Sequence, residues 1–166
     1  MFDGKCAYCE SHISHISYPH IEHYRPKSRF PNLCFSWTNL LLGCAICNGK
    51  EFKGDRFPGP AENGPILNPV NENPEDFLEF EYDPATGTAM ILGKDPRGTK
   101  TVDLLGLNKR PDLVRHRSSV VRKMAVIAIQ ASHGNIEAIA EIKRCMGKDE
   151  EYSAFAKALF KKFGLS

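Results

Sequence analysis

Two pairs of cysteines with identical spacing are the residues that point most directly to chemistry. Cys6 and Cys9 form one Cys-x-x-Cys pair, and Cys44 and Cys47 form the other. Four thiolates complete the tetrahedral shell of a structural zinc ion and leave no coordination position for a substrate. Buried thiols without metal and a redox-active pair are the alternatives. We expect a structural Zn²⁺ that supplies folding free energy to the loop-rich first 60 residues.

The compartment matters for this interpretation, because closely spaced cysteines bind metal more often than they form disulfides where thiols stay reduced. The first residues lack the basic and then apolar pattern of a secretory signal, so we expect a cytoplasmic protein. Cys34 and Cys145 have no nearby cysteine, and we expect them to pack as small apolar side chains.

Between the cysteine pairs, a carboxylate and an imidazole are adjacent in sequence. Glu22 and His23 would point to opposite faces of a strand, so one could face a metal ion and the other an attacking water. A neutral imidazole can accept a proton from water at neutral pH. This pair is therefore a candidate for general-base chemistry assisted by a metal ion.

The motifs around these residues are C-x-Y-C-E from Cys6, I-E-H-x-R-P-K from Ile21, W-x-N-L-L-L-x-C-x-x-C-N from Trp37, and F-P from Phe57. They resemble the HNH (ββα-metal) nucleases, and within them the zinc-stapled branch associated with Septu-type and retron defence systems. The resemblance runs over residues 5–58 and continues weakly to residue 117. It does not extend over the C-terminal residues.

The resemblance implies roles for residues at the matching positions. His23 would be the general base, and Asn39 would hydrogen-bond the backbone and orient the loop bearing His23. Glu22 and Asn48 would bind a catalytic Mg²⁺ or Mn²⁺, ions that prefer oxygen ligands. Many relatives have Asp and His at these last two positions, so the metal coordination differs here. Basic residues nearby are candidates for binding phosphate: Arg25, Lys27, Lys50 and Lys53.

The resemblance also implies an activity and partners. We expect a metal-dependent endonuclease that hydrolyses phosphodiester bonds, with DNA as the substrate, and that acts as the nuclease of a bacterial antiviral defence system beside a partner ATPase. The alternative is a non-catalytic zinc-ribbon module that binds nucleic acid or a partner protein. Glu22, His23 and Asn48 favour the enzyme, since a binding module does not need them. A zinc-dependent hydrolase is disfavoured because four cysteines close the zinc shell.

The elements that must position these residues indicate an α+β fold. We expect a zinc-stapled ββα-metal unit at residues 1–60, a Pro-rich acidic connection with a β-hairpin at 61–106, and a helical region at 107–166. In the first unit we expect a strand pair on either side of Pro19, a short helix from Ser36 through Leu41, and another from Asn48 through Lys53. Four aromatic residues are expected to form a small core under the zinc: Tyr8, Phe30, Phe35 and Trp37.

The later elements follow from turn and helix signals. Residues 77–92 predict a hairpin that turns at 83–87. An apolar period of 3.6 residues predicts a helix after residue 107, and further helices are expected at 135–146 and 149–163, with Asn135 and Asp149 as their N-caps. The first of these helices carries a basic face, which contacts a nucleic-acid backbone, docks a partner protein or is simply solvated: Arg115, Arg117, Arg122 and Lys123.

Composition limits the size and class of the protein. The 166 residues are 42% hydrophobic and 25% charged, which fits either one ordinary core or a small domain with an appendage and excludes a disordered chain. No apolar stretch approaches the roughly 20 residues of a membrane-spanning helix, so we expect no membrane partner. The net charge of +2 is unevenly distributed, because residues 61–90 are acidic and residues 91–123 are basic. This asymmetry is a modest indication of a polyanionic partner.

Overall fold

The structure is a computed structural model that describes residues 2–15 and 18–165, and its secondary structure is mixed. Two small antiparallel sheets come first in the chain: β1 (His20–His23) with β2 (Leu40–Gly43), and β3 (Leu78–Asp83) with β4 (Thr88–Gly93). Four helices follow: α1 (Pro96–Leu104), α2 (Pro111–Ser132), α3 (Ile136–Cys145) and α4 (Ser153–Lys162). The predicted α+β fold, with a cysteine-stapled unit before a hairpin and helices, is confirmed.

The first sheet differs from the prediction in its partners. β1 begins after Pro19 and pairs with β2, with His20 opposite Gly43 and His23 opposite Leu40. The expected pairing across Pro19 is therefore wrong for the described residues, and its first half includes residues 16 and 17, which lie outside them. The helix predicted through Leu41 is a 3₁₀ turn at Trp37–Asn39 followed by β2. A short run of leucines does not distinguish helix from strand by its periodicity.

The segment after β2 folds as consecutive turns over residues 45–55, so the helix predicted from Asn48 is not formed. The backbone N–H of Cys47 donates to the Sγ atom of Cys44 at 3.3 Å, and this contact shapes the first turn around the thiol. Gly54 has a φ of +44°, in the left-handed region that glycine tolerates best. The ββα arrangement thus lacks a regular helix here.

The second sheet and the helices follow the predictions more closely. The hairpin lies where it was expected, and the Asn135 side chain caps α3 by accepting from the backbone N–H of Ala138 at 2.8 Å. Helix α1 was missed, although Asp95 caps it by accepting from Gly98 N at 2.6 Å. α4 begins at Ser153, later than predicted.

The start of α4 is set by contacts with the N-terminal residues. The hydroxyl groups of Tyr152 and Ser11 lie 2.7 Å apart, and Tyr152 is buried with a left-handed φ of 55°. The Nζ atom of Lys5 donates to the carbonyl oxygen of Glu150 at 2.7 Å. These contacts pack the cysteine-containing unit against the C-terminal helices, while the three-part domain division stays a prediction.

Arg117 is a structural residue, which corrects its placement on a basic surface. Its side chain is 1% exposed, and its guanidinium donates to the carbonyl oxygens of Ala89 and Leu107 and to Oδ1 of Asn108, at 2.7 to 3.0 Å. It therefore joins α2 to β4 and to the turn before α2. Arg115, Arg122 and Lys123 are exposed.

No helix within residues 2–15 and 18–165 has the length and apolar character needed to cross a membrane.

Candidate functional site

The two cysteine pairs converge on one point. The Sγ atoms of all four predicted residues lie within 4.8 Å of one another: Cys6, Cys9, Cys44 and Cys47. A tetrahedral zinc with Zn–S bonds of about 2.3 Å separates its sulfurs by roughly 3.8 Å, so the cluster has nearly the required size. The first pair lies in a turn closed by a bridge between Lys5 and His12. The second pair follows β2. The cluster can hold a structural metal ion.

Arg110 provides an independent test of whether this cluster suits a metal. Its Nη1 atom donates to Sγ of Cys47 at 3.4 Å, its guanidinium lies over the Phe52 ring at 5.0 Å, and its Nη2 atom is buried without a hydrogen-bond partner among the described residues. Burial lowers the pKa of Arg110, but negative charge on Cys47 and Cys9 outweighs burial and raises it. The complex of a divalent ion with four thiolates has a net negative charge. The Arg110 guanidinium would neutralise part of that charge.

The two remaining cysteines lie apart from the cluster. Cys145 is buried in the core at the end of α3, as expected. Cys34 is only partly buried, and its Sγ atom lies 3.7 Å from Nε2 of His23. It is therefore next to the candidate catalytic histidine rather than in the core.

Glu22, the candidate site residue that carries a carboxylate, is buried, with 1% of its surface exposed. Its Oε1 atom lies 2.6 Å from Nζ of Lys53 and accepts a hydrogen bond from the Tyr8 hydroxyl at 3.1 Å. Burial raises the pKa of Glu22, and the neighbouring Lys53 charge opposes this rise. Both contacts are to Oε1, so Oε2 is the oxygen left for a cation. The role of Glu22 as a metal ligand stays a prediction.

Lys53 does not have the position expected of a phosphate-binding residue. Its side chain is 0% exposed, and besides pairing with Glu22 it donates to the carbonyl oxygens of His23 at 2.8 Å and Gly54 at 3.1 Å. The structure contradicts the predicted phosphate contact, because the ammonium group is enclosed by protein acceptors. Lys53 instead connects the Glu22 carboxylate to the backbone carbonyl of His23.

His23 is oriented by one backbone carbonyl. Its Nε2 atom lies 3.0 Å from the carbonyl oxygen of Cys34. A carbonyl oxygen only accepts hydrogen bonds, so Nε2 must carry the hydrogen, and Nδ1 holds the lone pair when the ring is neutral. The side chain is partly exposed. His23 can therefore accept a proton at Nδ1.

Asn39 is buried and bonds only to backbone. Its Oδ1 atom accepts from the N–H of Arg25 at 2.8 Å, and its Nδ2 atom donates to the carbonyl oxygens of Arg25 at 3.0 Å and Leu33 at 3.2 Å. These bonds connect the residue just before β2 with the loop that follows β1. Such contacts are suited to orienting the His23 loop, and they leave no amide atom for substrate.

Asn48 and Glu22 approach each other across Gly43. A Cβ atom added to Gly43 would lie 3.1 Å from Cβ of Glu22 and 3.8 Å from Cβ of Asn48. The Cβ atoms of the two predicted metal ligands are therefore no further apart than the sum of these distances. Any side chain at position 43 would press against Glu22, so glycine allows the two oxygen-bearing side chains to come close.

The other phosphate-binding candidates lie on the surface. Arg25, Lys27 and Lys50 are exposed, and Arg25 lies over the rings of Phe30 and Phe57, at 5.5 Å from each centroid. Arg29 is a fourth exposed cation that the sequence motifs did not single out. These residues are accessible to an anionic ligand.

The predicted aromatic core is only partly formed. Tyr8 is buried and Phe30 is partly buried, but Phe35 is 93% exposed and Trp37 is 71% exposed. The prediction for the last two is wrong. They lie in the 34–39 segment, which ends in the 3₁₀ turn before β2. Sequence reasoning also missed the contacts of Arg110 with Cys47 and of Tyr8 with Glu22, because no short spacing in the sequence links these residues.

Comparison with known proteins identifies relatives of this chain. It is 37% identical to Septu protein PtuB of Bacillus thuringiensis over 125 residues, covering 74% of this chain and 44% of that protein. It is 31% identical to Septu protein PtuB of Bacillus mycoides (strain KBAB4) over 159 residues, covering 81% and 52%. A Vibrio cholerae retron Vc95 protein, named as a candidate HNH endonuclease, is 30% identical over 149 residues, covering 80% and 65%. This chain is their homologue.

The relationship confirms the resemblance to HNH-type defence proteins that the motifs indicated. The chain spans 44% to 65% of the length of these three relatives. No family model matches the sequence, and no solved structure matches it.

Proposed function

We propose that this chain is the nuclease part of an antiviral defence protein and that it hydrolyses phosphodiester bonds in DNA with the help of a divalent metal ion. The observation that carries the proposal is the His23 imidazole, whose Nε2 is hydrogen-bonded to Cys34 and whose Nδ1 is left as a base, beside a buried carboxylate. The sequence similarity to PtuB and to the retron protein supports the proposed nuclease function.

The reaction we propose needs few protein groups. His23 accepts a proton from the attacking water at Nδ1, while the bond from Nε2 to the Cys34 carbonyl keeps the ring in the required tautomer. Asn39 fixes the loop through Arg25 and thereby maintains the position of the imidazole. Arg25, Lys27 and Lys50 bind phosphates of the substrate on the exposed side.

Glu22, through Oε2, and Asn48, through its side-chain carbonyl, would hold Mg²⁺ or Mn²⁺. Their oxygen donors and their proximity across Gly43 fit such a cation. When bound, the ion polarises the phosphate and stabilises the leaving oxygen. Lys53 and Tyr8 hold Oε1 of Glu22 and so orient the carboxylate for this role.

The four-cysteine cluster would hold zinc in a structural role. Four thiolates close the zinc shell, so this ion takes no part in hydrolysis. The cluster ties the turn before β1 to the turns after β2 and so fixes the backbone on which Glu22 and Asn48 lie. A partner ATPase, which the resemblance of the motifs to defence nucleases implies, would complete the system.

Mn²⁺ binding tests the metal assignment without depending on cleavage. Zinc-loaded protein is titrated with Mn²⁺, and free Mn²⁺ is measured by electron paramagnetic resonance for wild type, Glu22→Gln and Asn48→Ala. We expect weaker binding in both variants, because each loses or weakens an oxygen ligand. Glu51→Gln is the control, since that carboxylate is exposed and three residues from Asn48. Wild-type binding curves for both site variants would overturn the assignment.

Cleavage of DNA in Mg²⁺, Mn²⁺ or EDTA then distinguishes the enzyme from the non-catalytic zinc-ribbon module. The proposed enzyme cleaves only with the divalent ion. A zinc-loaded protein that binds DNA but cleaves none under any of these conditions is the binding module.

A further inference from the structure

Two aromatic side chains close in sequence to the candidate site are largely exposed to solvent. Phe35 is 93% exposed and Trp37 is 71% exposed. Leaving large apolar rings in water forgoes the stabilisation that burial would give, about 25 cal/mol for each Å² of apolar surface. We call residues 34–39 the aromatic loop.

The aromatic loop is held by hydrogen bonds along its length. The backbone N–H of Ser36 donates to the carbonyl of Leu33 at 3.1 Å, and the N–H of Asn39 donates to the carbonyl of Ser36 at 2.9 Å. The Asn39 side chain adds a bond to the Leu33 carbonyl at 3.2 Å. The rings of Phe35 and Trp37 are therefore exposed on an ordered backbone and not on a free tail.

The aromatic loop is attached directly to the candidate base. The Cys34 carbonyl that accepts from His23 Nε2 belongs to the peptide unit joining Cys34 to Phe35. At the other end of the loop, Asn39 holds both backbone groups of Arg25, and Leu40 pairs with His23 across the sheet. The backbone that carries the two rings is therefore anchored to His23 and its strand at both ends.

The charge around the aromatic loop suits a polyanion. No acidic residue occurs between His23 and Lys50 in the sequence. Four exposed cations lie in this stretch: Arg25, Lys27, Arg29 and Lys50. Exposed aromatic rings together with a basic surface are the combination that binds single-stranded nucleic acid, because bases stack on the rings while phosphates meet the cations.

We propose that Phe35 and Trp37 form a stacking platform for unpaired bases, so that the DNA cleaved at His23 is single-stranded or locally unpaired. In a duplex the faces of the bases are covered by their neighbours, whereas an unpaired base offers its face to an aromatic ring. Stacking next to His23 would set which phosphate reaches the base. This inference rests on the proposed nuclease function for its location, but the stacking itself is a binding property.

The single tryptophan of the chain makes the platform directly observable. Zinc-loaded protein without added Mg²⁺ or Mn²⁺ is titrated with a single-stranded oligodeoxynucleotide and with a duplex of the same length, and Trp37 fluorescence is followed. We expect quenching by the single strand at concentrations where the duplex gives little. Equal quenching by both forms would overturn the proposal.

Substitution then tests the contribution of each ring. Phe35→Leu and Trp37→Leu should each weaken single-strand binding about 5- to 150-fold, as expected for loss of one stacked base, measured by anisotropy of a labelled oligonucleotide. Ile136→Ala is the control, since Ile136 is 78% exposed at the start of α3. The aromatic positions are on the surface, so melting temperatures should stay at the wild-type value.

The outcomes separate this inference from the proposed function. Wild-type single-strand affinity in both aromatic variants overturns the stacking platform, whether or not the protein cleaves DNA. Retained oligonucleotide binding with loss of a co-purifying protein would assign the aromatic loop to a protein interface, which also overturns it. Weakened binding in a protein that never cleaves DNA supports the platform and refutes the nuclease.

Discussion

Replacement of Lys53 by methionine tests the buried pair beneath the candidate site. Methionine has a similar length but carries no charge, so the Glu22 carboxylate would stay buried with only Tyr8 as a partner. Removing one member of a buried ion pair typically costs about 3–5 kcal/mol, because the other charge is left uncompensated. The bonds from Lys53 to the carbonyls of His23 and Gly54 are lost as well. We therefore expect the free energy of unfolding to fall by about 3–5 kcal/mol.

The assay is urea unfolding of the zinc-loaded protein followed by circular dichroism, with Lys50→Met as the matched control. Lys50 is exposed, and surface substitutions usually change stability by less than about 0.5 kcal/mol.

The stability lost in Lys53→Met should also depend on pH. Burial raises the pKa of Glu22 in the folded state, and removing Lys53 raises it further. A carboxyl group with a raised folded-state pKa destabilises the fold as pH rises through that pKa, so the loss should be larger at pH 8 than at pH 5.

A second substitution separates charge from packing. In Glu22→Gln/Lys53→Met both charges are absent, and this double variant should be more stable than Lys53→Met alone. A Lys53→Met protein as stable as the Lys50→Met control would refute the reasoning, because the ammonium group would then contribute nothing to the fold.

Three further outcomes are expected. Arg110→Met should release zinc faster to a chromogenic chelator than wild type, whereas Lys109→Met, which changes an exposed neighbour, should match wild type. Cys47→Ser should lose bound zinc and unfold at lower urea, while Cys145→Ser should keep one zinc per chain by elemental analysis. Arg117→Met should lower the free energy of unfolding by about 3 kcal/mol or more, because the buried carbonyl oxygens of Ala89 and Leu107 both lose the guanidinium as a donor.

The local motifs predicted the parts of the molecule that depend on short spacings. Two Cys-x-x-Cys pairs were sufficient to select the four thiols that converge, because a metal ion is the usual reason for that spacing. The hairpin and the Asn135 cap of α3 were likewise readable from turn and cap residues. These features are decided by neighbours in sequence.

The errors arose where distant residues decide the outcome. Lys53 has the sequence context of a surface charge, and only the approach of Glu22 from β1 makes it a buried partner. Arg117 lies in a basic stretch of sequence, but it is buried because its guanidinium donates to the carbonyl oxygens of Ala89 and Leu107. Trp37 has the large apolar side chain typical of a core residue, yet it is 71% exposed, so its hydrophobicity alone predicted the wrong environment.

The central claim is that His23 is the base of a metal-dependent DNA hydrolysis. The most direct measurement is the initial rate of cleavage of labelled single-stranded and duplex DNA in Mn²⁺ by wild type, His23→Ala and His20→Ala. His20 lies exposed on the same strand and is the matched control. We predict that His20→Ala cleaves at the wild-type rate and that His23→Ala loses about 10²- to 10⁴-fold, the usual contribution of a general base. A His23→Ala protein that retains its zinc and cleaves as fast as wild type would contradict the account.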